Sequence, residues 1–252
     1  GHSHLLALAV PNLKSYDPAF AFELAVIIED GIKRMYLDQE SIFYYLTVMN
    51  EQYAMPAMPE GAHDGILKGM YRFRATSLPK APARAQLFGS GAILPEVIKA
   101  QEILESKYNV GADVWSVTSY GELYRDGHAC ERWNMLHPRE PQRVPYVTQC
   151  FEKTDGVIVV ASDYVKAMAD AIDRWMPRRI TSLGTDGFGR SEGRASLREF
   201  FEVDARFIVV ATLGDLARDL GRGVAGLVRP RRVDPRALSH WVEPDRLLPG
   251  GR

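Results

Sequence analysis

The sequence predicts an α/β fold in which a mainly parallel, open sheet carries helices on both faces. Apolar, β-branched segments with the composition of buried strands occur at 85–88, 113–117, 156–161, 180–184 and 207–211. Helical patterns at 94–108, 162–175 and 194–201 lie between most of these strands. Strands that alternate with helices of this length are joined by crossovers, and such connections produce parallel pairing.

The residues before this region indicate the end of a second α/β unit. Asp17 and Pro18 offer a helix cap followed by a proline at the first helical position, so we expect a helix to begin there. The β-branched and aromatic run 42–48 predicts a strand buried on both faces. A short helix is expected around Ile66.

Breaks in pattern divide the chain into three parts. The Pro- and Ala-rich segment 77–82 has the composition of a linker, so we expect one unit at 1–76 and a second at 77–219. Residues 220–252 form an atypical tail rich in Arg and Pro. Within the second unit, the polar stretch 121–145 predicts a long irregular loop that is functional or packs on a partner.

Composition narrows the functional class. The 252 residues carry a net charge of -1, which argues against electrostatic binding to nucleic acid or an anionic membrane. No apolar run reaches the roughly 18–20 residues that cross a bilayer, and the first residues lack the pattern of a signal peptide. Cys130 and Cys150 form no close-spaced metal motif. We therefore expect a cytoplasmic globular protein without a metal site of its own.

Two glycine-rich turns follow predicted strands, but neither matches a nucleotide-binding fingerprint. After Gly89 and Gly91, a dinucleotide site requires a third small residue where this chain has Leu94. The turn at 184–191 lacks the Gly-Lys-Ser/Thr ending of a phosphate-binding loop, and its glycines indicate positive φ or close packing. The sequence identifies no cofactor-binding residue.

Histidines supply the remaining candidate chemistry. His2 and His4 are two residues apart, which places them on one side of an extended segment, where they could bind metal, transfer protons or be ordinary residues. Trp133 and His137 share a segment whose indole could anchor an interface. His63 and His128 have no partner at ligand spacing, and structural or surface roles are expected for them.

Five segments resemble the homodimeric pyruvate dehydrogenase (acetyl-transferring) component, a family of transketolase-like enzymes that use thiamine diphosphate. The segments are GHSH at 1–4, YYLTVMNEQYAMPAMPEG at 44–61, VWSVTSYGELY at 114–124, CERWNMLHP at 130–138 and LGTDGFGRS at 183–191. The resemblance extends from residue 1 to about Asp219, and the tail departs from it. It identifies the chain as similar to the C-terminal portion of this family.

The resemblance implies the domain identities. Residues 1–76 correspond to the last part of a pyrimidine-binding domain, and residues 77–219 correspond to a transketolase C-terminal-like domain. The full-length enzyme uses thiamine diphosphate and Mg²⁺, yet the Gly-Asp-Gly…Asn motif that holds them in the family is absent from this sequence. We therefore expect the chain to be inactive on its own.

The resemblance also implies an activity and partners. The family decarboxylates pyruvate and transfers the acetyl unit to the lipoyl group of dihydrolipoamide acetyltransferase, and it functions as a homodimer. By similarity, His2 is assigned as a catalytic group that contacts substrate oxygens and transfers protons, with His4 as its supporting neighbour. Two alternatives stay open: a non-catalytic dimerisation or interaction module, and a transketolase relative that acts on another 2-oxo acid.

The tail gives the first testable prediction. Pro230, Pro235, Pro244 and Pro249 interrupt any regular element, so apolar burial cannot offset about 1–2 kcal/mol of backbone ordering per residue. Limited proteolysis should therefore remove the tail first, and a chain ending at Asp219 should melt within a few degrees of the parent. Unfolding of the truncated chain would show that the tail is part of the domain.

Overall fold

The computed structural model describes residues 1–219; the predicted tail at 220–252 lies outside this range. The elements in chain order are α1 (Ser3–Ala7), β1 (Leu13–Tyr16), α2 (Ala21–Ile32) with a π-helical turn (Lys33–Leu37), β2 (Phe43–Leu46), α3 (Ala62–Lys68), β3 (Met70–Arg74), β4 (Ala83–Gly89), a 3-10 turn (Gly91–Ile93), α4 (Leu94–Tyr108), β5 (Val110–Val117), α5 (Tyr120–Leu136), α6 (Tyr146–Cys150), β6 (Val157–Ala161), α7 (Ala167–Asp170), a 3-10 turn (Asp173–Trp175), β7 (Ile180–Leu183), α8 (Arg194–Phe200) and α9 (Ala205–Asp219).

The larger sheet has the strand order β3-β5-β4-β6-β7. Strands β5, β4, β6 and β7 are parallel, and β3 is an antiparallel edge strand on β5. The chain steps from β4 outward to β5 and then returns across β4 to β6. This reversal between β4 and β6 is a topological switch point, where the loops leave the carboxyl ends of the strands in opposite directions.

Helices cover both faces of the larger sheet, which confirms the predicted fold class. Alternate strand residues point to opposite faces, so Leu87 and Phe88 of β4 enter different cores. Helices α4 and α9 pack on one face, and α5, α6 and α7 pack on the other. Fully buried side chains of this kind contribute about 1.5–3 kcal/mol each relative to exposure.

The smaller sheet consists of β1 and β2, paired in parallel. The prediction that 42–48 is buried on both faces is wrong, because Phe43 and Tyr45 are exposed. Tyr44 and Leu46, on the other face, pack against a cluster that includes Tyr16 and Ile27. One face of β2 therefore packs against this cluster, whereas the other face is exposed.

The helix after Asp17 begins later than predicted. Helix α2 starts at Ala21, and the Glu23 side chain accepts the backbone N–H groups of Ala19 and Phe20. Asp17 is buried and caps no helix. The carboxylate that caps this helix is therefore inside its first turn, as in the reciprocal half of a capping box.

Two further predictions of irregular or extended structure are wrong. The run 207–211 is not a strand but part of α9, whose buried residues Ile208, Val209, Leu213 and Leu216 recur at helical spacing. Most of 121–145 is not a loop, since α5 extends from Tyr120 to Leu136. The sequence signal for the start of this helix is Ser119, whose hydroxyl accepts the backbone N–H of Glu122 as an N-cap.

Other elements agree with the sequence to different extents. Helix α4 has the predicted bounds, 94–108, and α8 and α3 are present. The predicted helix at 162–175 is reduced to α7 and a 3-10 turn. Strand β3 precedes the predicted linker at 77–82 yet belongs to the larger sheet. The boundary between the two proposed units stays a prediction.

No helix among residues 1–219 combines the length and the apolar character needed to cross a bilayer.

Candidate functional site

The first residues of the chain lie at the carboxyl edge of the larger sheet. The Gly1 carbonyl accepts the backbone N–H of Val165, which follows β6, over 3.0 Å. A Cβ on Gly1 would lie 3.0 Å from the Thr185 carbonyl, which follows β7. Ligands of open α/β sheets bind at this edge, close to the switch point. The topology therefore places the His2–His4 segment where a functional site is expected.

The two histidines do not share a side, contrary to the extended geometry predicted from the sequence. His4 is in helix α1, and His2 is at its N-cap position. Because a helix advances about 100° per residue, side chains two residues apart point in nearly opposite directions. His2 is exposed and His4 is 6% exposed. Only His2 is open to solvent, and His4 belongs to the interior.

His4 is held by polar and aromatic contacts. Its Nε2 atom lies 3.0 Å from the Thr47 hydroxyl. The ring packs edge-on against Tyr164, with centroids 4.5 Å apart, and also contacts Tyr45. Burial lowers the pKa of His4 to about 4, so its imidazole is neutral at pH 7.

Asp17 is the buried carboxyl next to this histidine. The Thr47 hydroxyl donates to its Oδ1 atom over 2.6 Å. Burial raises the pKa of Asp17 to about 7, and hydrogen bonds from Thr47 and Ser90 oppose the rise. The carboxyl group also packs against Gly91, where an added Cβ would lie 2.5 Å from a carboxyl oxygen and φ is +46°. Gly91 is therefore required by close approach as well as by backbone conformation.

A small enclosed cavity adjoins these groups. His4, Asp17, Ser90, Tyr120 and Tyr164 are among its lining residues. Its volume of about 10 Å³ is at the lower limit for a single water molecule. The Tyr120 hydroxyl is buried and makes no hydrogen bond within residues 1–219. A cavity of this size has no room for a substrate, so the buried groups serve the site indirectly.

Glu23 connects the start of α2 to the larger sheet, a role that no local sequence pattern indicates. Its Oε1 atom accepts the hydroxyl groups of Tyr71 on β3 and Ser116 on β5, over 2.7 and 2.6 Å. Its Oε2 atom accepts the two backbone N–H groups at the start of α2. Burial raises the pKa of Glu23, and these four donors oppose the rise. The residue acts in packing and alignment, away from solvent.

The glycine-rich turns have the structural roles predicted for them. Gly89 ends β4, and its neighbours lead directly into α4, so the turn is a tight strand-to-helix connection. Gly187 and Gly189 have φ values of +78° and +72°, in the loop after β7. The side chain between them, Phe188, is fully exposed.

Of the other histidines among residues 1–219, His63 is in α3, His128 is in α5 and His137 directly follows α5. His137 stacks on Trp133 with ring centroids 3.6 Å apart, and the Arg143 guanidinium lies over the Trp133 ring, 3.5 Å from its centroid. His128 contacts Tyr124 edge-on, and His63 is exposed beside its neighbour Asp64. Within residues 1–219, no three His, Cys, Asp or Glu side chains converge as metal ligands do.

The raised pKa of Asp17 predicts a pH-dependent effect of Asp17→Asn. Folded Asp17 keeps its proton to about pH 7, whereas the unfolded carboxyl loses it near 3.8. Protonation of Asp17 therefore stabilises the fold at low pH, and this stability is lost as pH rises through 7. The asparagine does not titrate, so the variant should gain on the parent by up to about 4 kcal/mol between about pH 4 and pH 8.

Urea unfolding of both proteins across this range measures the difference. His4, whose lowered pKa removes stability as pH falls below 6.5, is present in both and cancels. Glu60→Gln, at an exposed position, is the control and should show no such trend. A difference between parent and Asp17→Asn that does not vary with pH would contradict the assignment.

Family models match two successive parts of the chain. Residues 1–56 match the pyruvate dehydrogenase E1 component middle domain. Residues 69–204, more than half of the chain, match the transketolase-like TK C-terminal domain.

Curated relatives agree with these matches. Over 220 residues, the chain is 52% identical to the pyruvate dehydrogenase E1 component of Escherichia coli (strain K12), covering 86% of this chain and 24% of the relative. Over 250 residues, it is 46% identical to the pyruvate dehydrogenase E1 component of Pseudomonas aeruginosa, covering 99% of this chain and 28% of the relative. The chain thus spans about a quarter of the length of these relatives.

Solved structures share the fold. A transketolase from Pichia stipitis has a TM-score of 0.61 and 14% identity, covering 92% of this chain and 29% of that chain. A transketolase from Campylobacter jejuni has a TM-score of 0.58 and 14% identity, covering 84% and 28%. At this identity, the similarity shows the fold alone. From the family models and the relatives together, the chain belongs to the pyruvate dehydrogenase E1 family of transketolase-like proteins, as a C-terminal portion of that component.

Proposed function

We propose that this chain is the portion of a pyruvate dehydrogenase that completes the substrate side of its active site. The reaction is the thiamine-diphosphate-dependent oxidative decarboxylation of pyruvate, with transfer of the acetyl group to the lipoyl group of dihydrolipoamide acetyltransferase. The observation that carries the proposal is the identity of 46–52% to proteins named pyruvate dehydrogenase E1 component, over 86–99% of the chain.

The described residues do not fit the cofactor by themselves. Mg²⁺ prefers a nearly octahedral set of oxygen ligands, usually including carboxylates and phosphate oxygens. Residues 1–219 contain no group of three His, Cys, Asp or Glu side chains that could hold a metal ion. The sequence lacks the Gly-Asp-Gly…Asn motif. Thiamine diphosphate and Mg²⁺ therefore belong to the full-length enzyme in this proposal, and this chain contributes side chains that act on substrate.

His2 is the residue proposed to act on substrate. Its imidazole is exposed at the carboxyl edge of the larger sheet, whereas the neighbouring Gly1 is fixed by the Val165 N–H. An imidazole in this place can donate a hydrogen bond to a substrate oxygen and transfer a proton during acetyl transfer. His4, two residues later and buried, supports α1 and thereby the direction of His2.

The proposal also includes the assembly and the location. We assign residues 1–76 to the end of the pyrimidine-binding domain and 77–219 to the C-terminal domain, within a cytoplasmic homodimer that receives pyruvate and a lipoyl-bearing partner. These assignments follow the family whose members are named above.

An interaction module without catalysis is the second candidate, and one surface favours it. Ile28, Ile32 and Tyr36 recur every four residues along α2 and its π-helical turn, and all three are exposed. Leu37 is 76% exposed beside them. Contiguous apolar surface of this kind marks contact with another protein surface. The surface supports a contact with another protein, and activity decides whether the chain is also part of an enzyme.

The first experiment is an assay of the chain alone. Carbon dioxide release from pyruvate, with thiamine diphosphate and Mg²⁺ added, should be absent, because the residues that hold the cofactor are not in this sequence. Restoration of turnover by a protein that supplies the upstream sequence of a relative would support the proposed function. Clear turnover by the chain alone would contradict its description as a portion of the enzyme.

The second experiment changes His2 in a full-length relative that carries this segment. His2→Ala should lower acetyl transfer to the lipoyl group by roughly 100-fold or more, the usual effect of removing an acid–base group. His2→Gln keeps a hydrogen-bond donor without proton transfer, so the two variants separate binding from acid–base function. Near-normal rates with a normal melting temperature in both variants would return His2 to a surface role.

A further inference from the structure

Two buried side chains, His4 and Asp17, and the half-buried Thr47 form a hydrogen-bonded series that connects α1 to the switch point. His4 comes from α1, Thr47 immediately follows β2, and Asp17 immediately follows β1. The Thr47 hydroxyl oxygen is 3.0 Å from His4 Nε2 and 2.6 Å from Asp17 Oδ1. Thr47 is within hydrogen-bond distance of both other groups, so its hydroxyl can pass a change at Asp17 on to His4.

The chemistry of a hydroxyl group restricts how this series is arranged. A hydroxyl carries one proton to donate and two lone pairs to accept with, whereas an ionised carboxylate only accepts. When Asp17 is ionised, Thr47 must donate to it, since the alternative acceptor, the Tyr16 carbonyl, is farther away at 3.3 Å. The Thr47 oxygen then has only lone pairs left, and His4 must present its proton on Nε2.

Protonation of Asp17 reverses this arrangement. A protonated carboxyl donates to the Thr47 oxygen, which frees the Thr47 proton for His4 Nε2 or for the Tyr16 carbonyl. When the proton goes to His4, Nε2 becomes an acceptor and the imidazole proton moves to Nδ1. In that arrangement, one proton on the carboxyl changes which nitrogen of the histidine is protonated.

We propose that Asp17 is a positioning residue that sets the tautomer of His4 through the Thr47 hydroxyl. Ionised Asp17 selects the Nε2–H form and leaves Nδ1 as an acceptor. The inference deepens the proposed function, and rests on it only for the consequence that α1 presents His2 in a defined orientation. The hydrogen-bond series itself is a property of this chain.

Other titratable groups face the series and must be separated from Asp17. Tyr45 and Tyr164 contact the His4 ring, and Tyr164 also approaches Thr47, whose second lone pair remains available to it. Burial raises the pKa of Tyr164, so its hydroxyl stays neutral over the pH range in which Asp17 titrates. Asp163 and Glu23 act on Asp17 as nearby carboxyl groups. Burial raises the pKa of both.

Nitrogen NMR of the full 252-residue chain reads the tautomer directly, because protonated and unprotonated imidazole nitrogens resonate in separate regions. His4→Gln identifies the His4 signals among the six histidines. At about pH 8.5, above the pKa of Asp17, the proton of His4 should reside on Nε2. At about pH 5.5 the His4 signals should shift toward the Nδ1–H form.

Variants test whether Asp17 acts on His4 through the Thr47 hydroxyl. Thr47→Val removes the hydroxyl and should abolish both the preference for Nε2–H and its change with pH, whereas Thr47→Ser should retain them. Asp17→Asn should abolish the change with pH. Asp163→Asn is the matched control: it removes a neighbouring carboxyl outside the series and should leave the response of His4 intact.

Several results would overturn the proposal. These are an Nδ1–H or charged imidazole at high pH in the parent, an unchanged tautomer in Thr47→Val, or a lost response in Asp163→Asn with a retained one in Asp17→Asn. If Thr47→Val does not fold, the parent spectra and Thr47→Ser still decide. None of these measurements uses cofactor or turnover, so the series can fail while the proposed activity of His2 stands, and the reverse.

Discussion

The junction between the smaller and the larger sheet depends on one buried carboxylate, Glu23. It is fully buried, and it accepts four hydrogen bonds from three separate segments of the chain. An ionised group in the interior is tolerated only when its lone pairs are satisfied, and loss of one donor leaves the others around an uncompensated charge. The start of α2 is thereby held against β3 and β5 in a single orientation.

The orientation of α2 determines which side chains occupy the switch point. With α2 held by Glu23, the end of β1 brings Asp17 to the turn after β4, where the carboxyl packs against Gly91. The backbone confirms this register, since Gly91 donates to the Asp17 carbonyl and Asp17 donates to the Thr118 carbonyl. A crevice that binds ligands in other open α/β sheets is here filled by a carboxyl group, a histidine and tyrosines. His2, in contrast, is exposed at this edge of the sheet.

The sequence was informative wherever a local pattern decided the structure. Helix α4 has its predicted bounds because its apolar residues repeat at helical spacing after a glycine turn with Pro95 near its start. The run at 207–211 misled because a short apolar segment has the same composition in a buried strand and a buried helix. Helix α5 could have been predicted, since Ser119 and Glu122 have the spacing of a capping box, but its polar surface concealed it.

The contacts of the candidate site could not be predicted from local sequence patterns, for a different reason. Asp17 acquires its properties from Thr47, 30 residues away, and Glu23 acquires its properties from Ser116, 93 residues away. No spacing rule connects such partners, and a capping interpretation of Asp17 was the reasonable local one. Resemblance identified the His2–His4 segment as a candidate site, which stays a prediction, and it gave no information on the backbone conformation of the segment.

The conformation of that segment is set by the surroundings, because a helix of five residues is not stable alone. Helix α1 persists because Gly1 is bonded to the loop after β6 and His4 is bonded inside. The same two contacts turn His4 inward and His2 outward. The two imidazoles look equivalent in the sequence but differ in the structure. His2 is exposed to solvent, whereas His4 is buried next to Thr47, which in turn bonds to the Asp17 carboxyl group. The division follows from helical geometry and burial, and it places the two imidazoles in different surroundings.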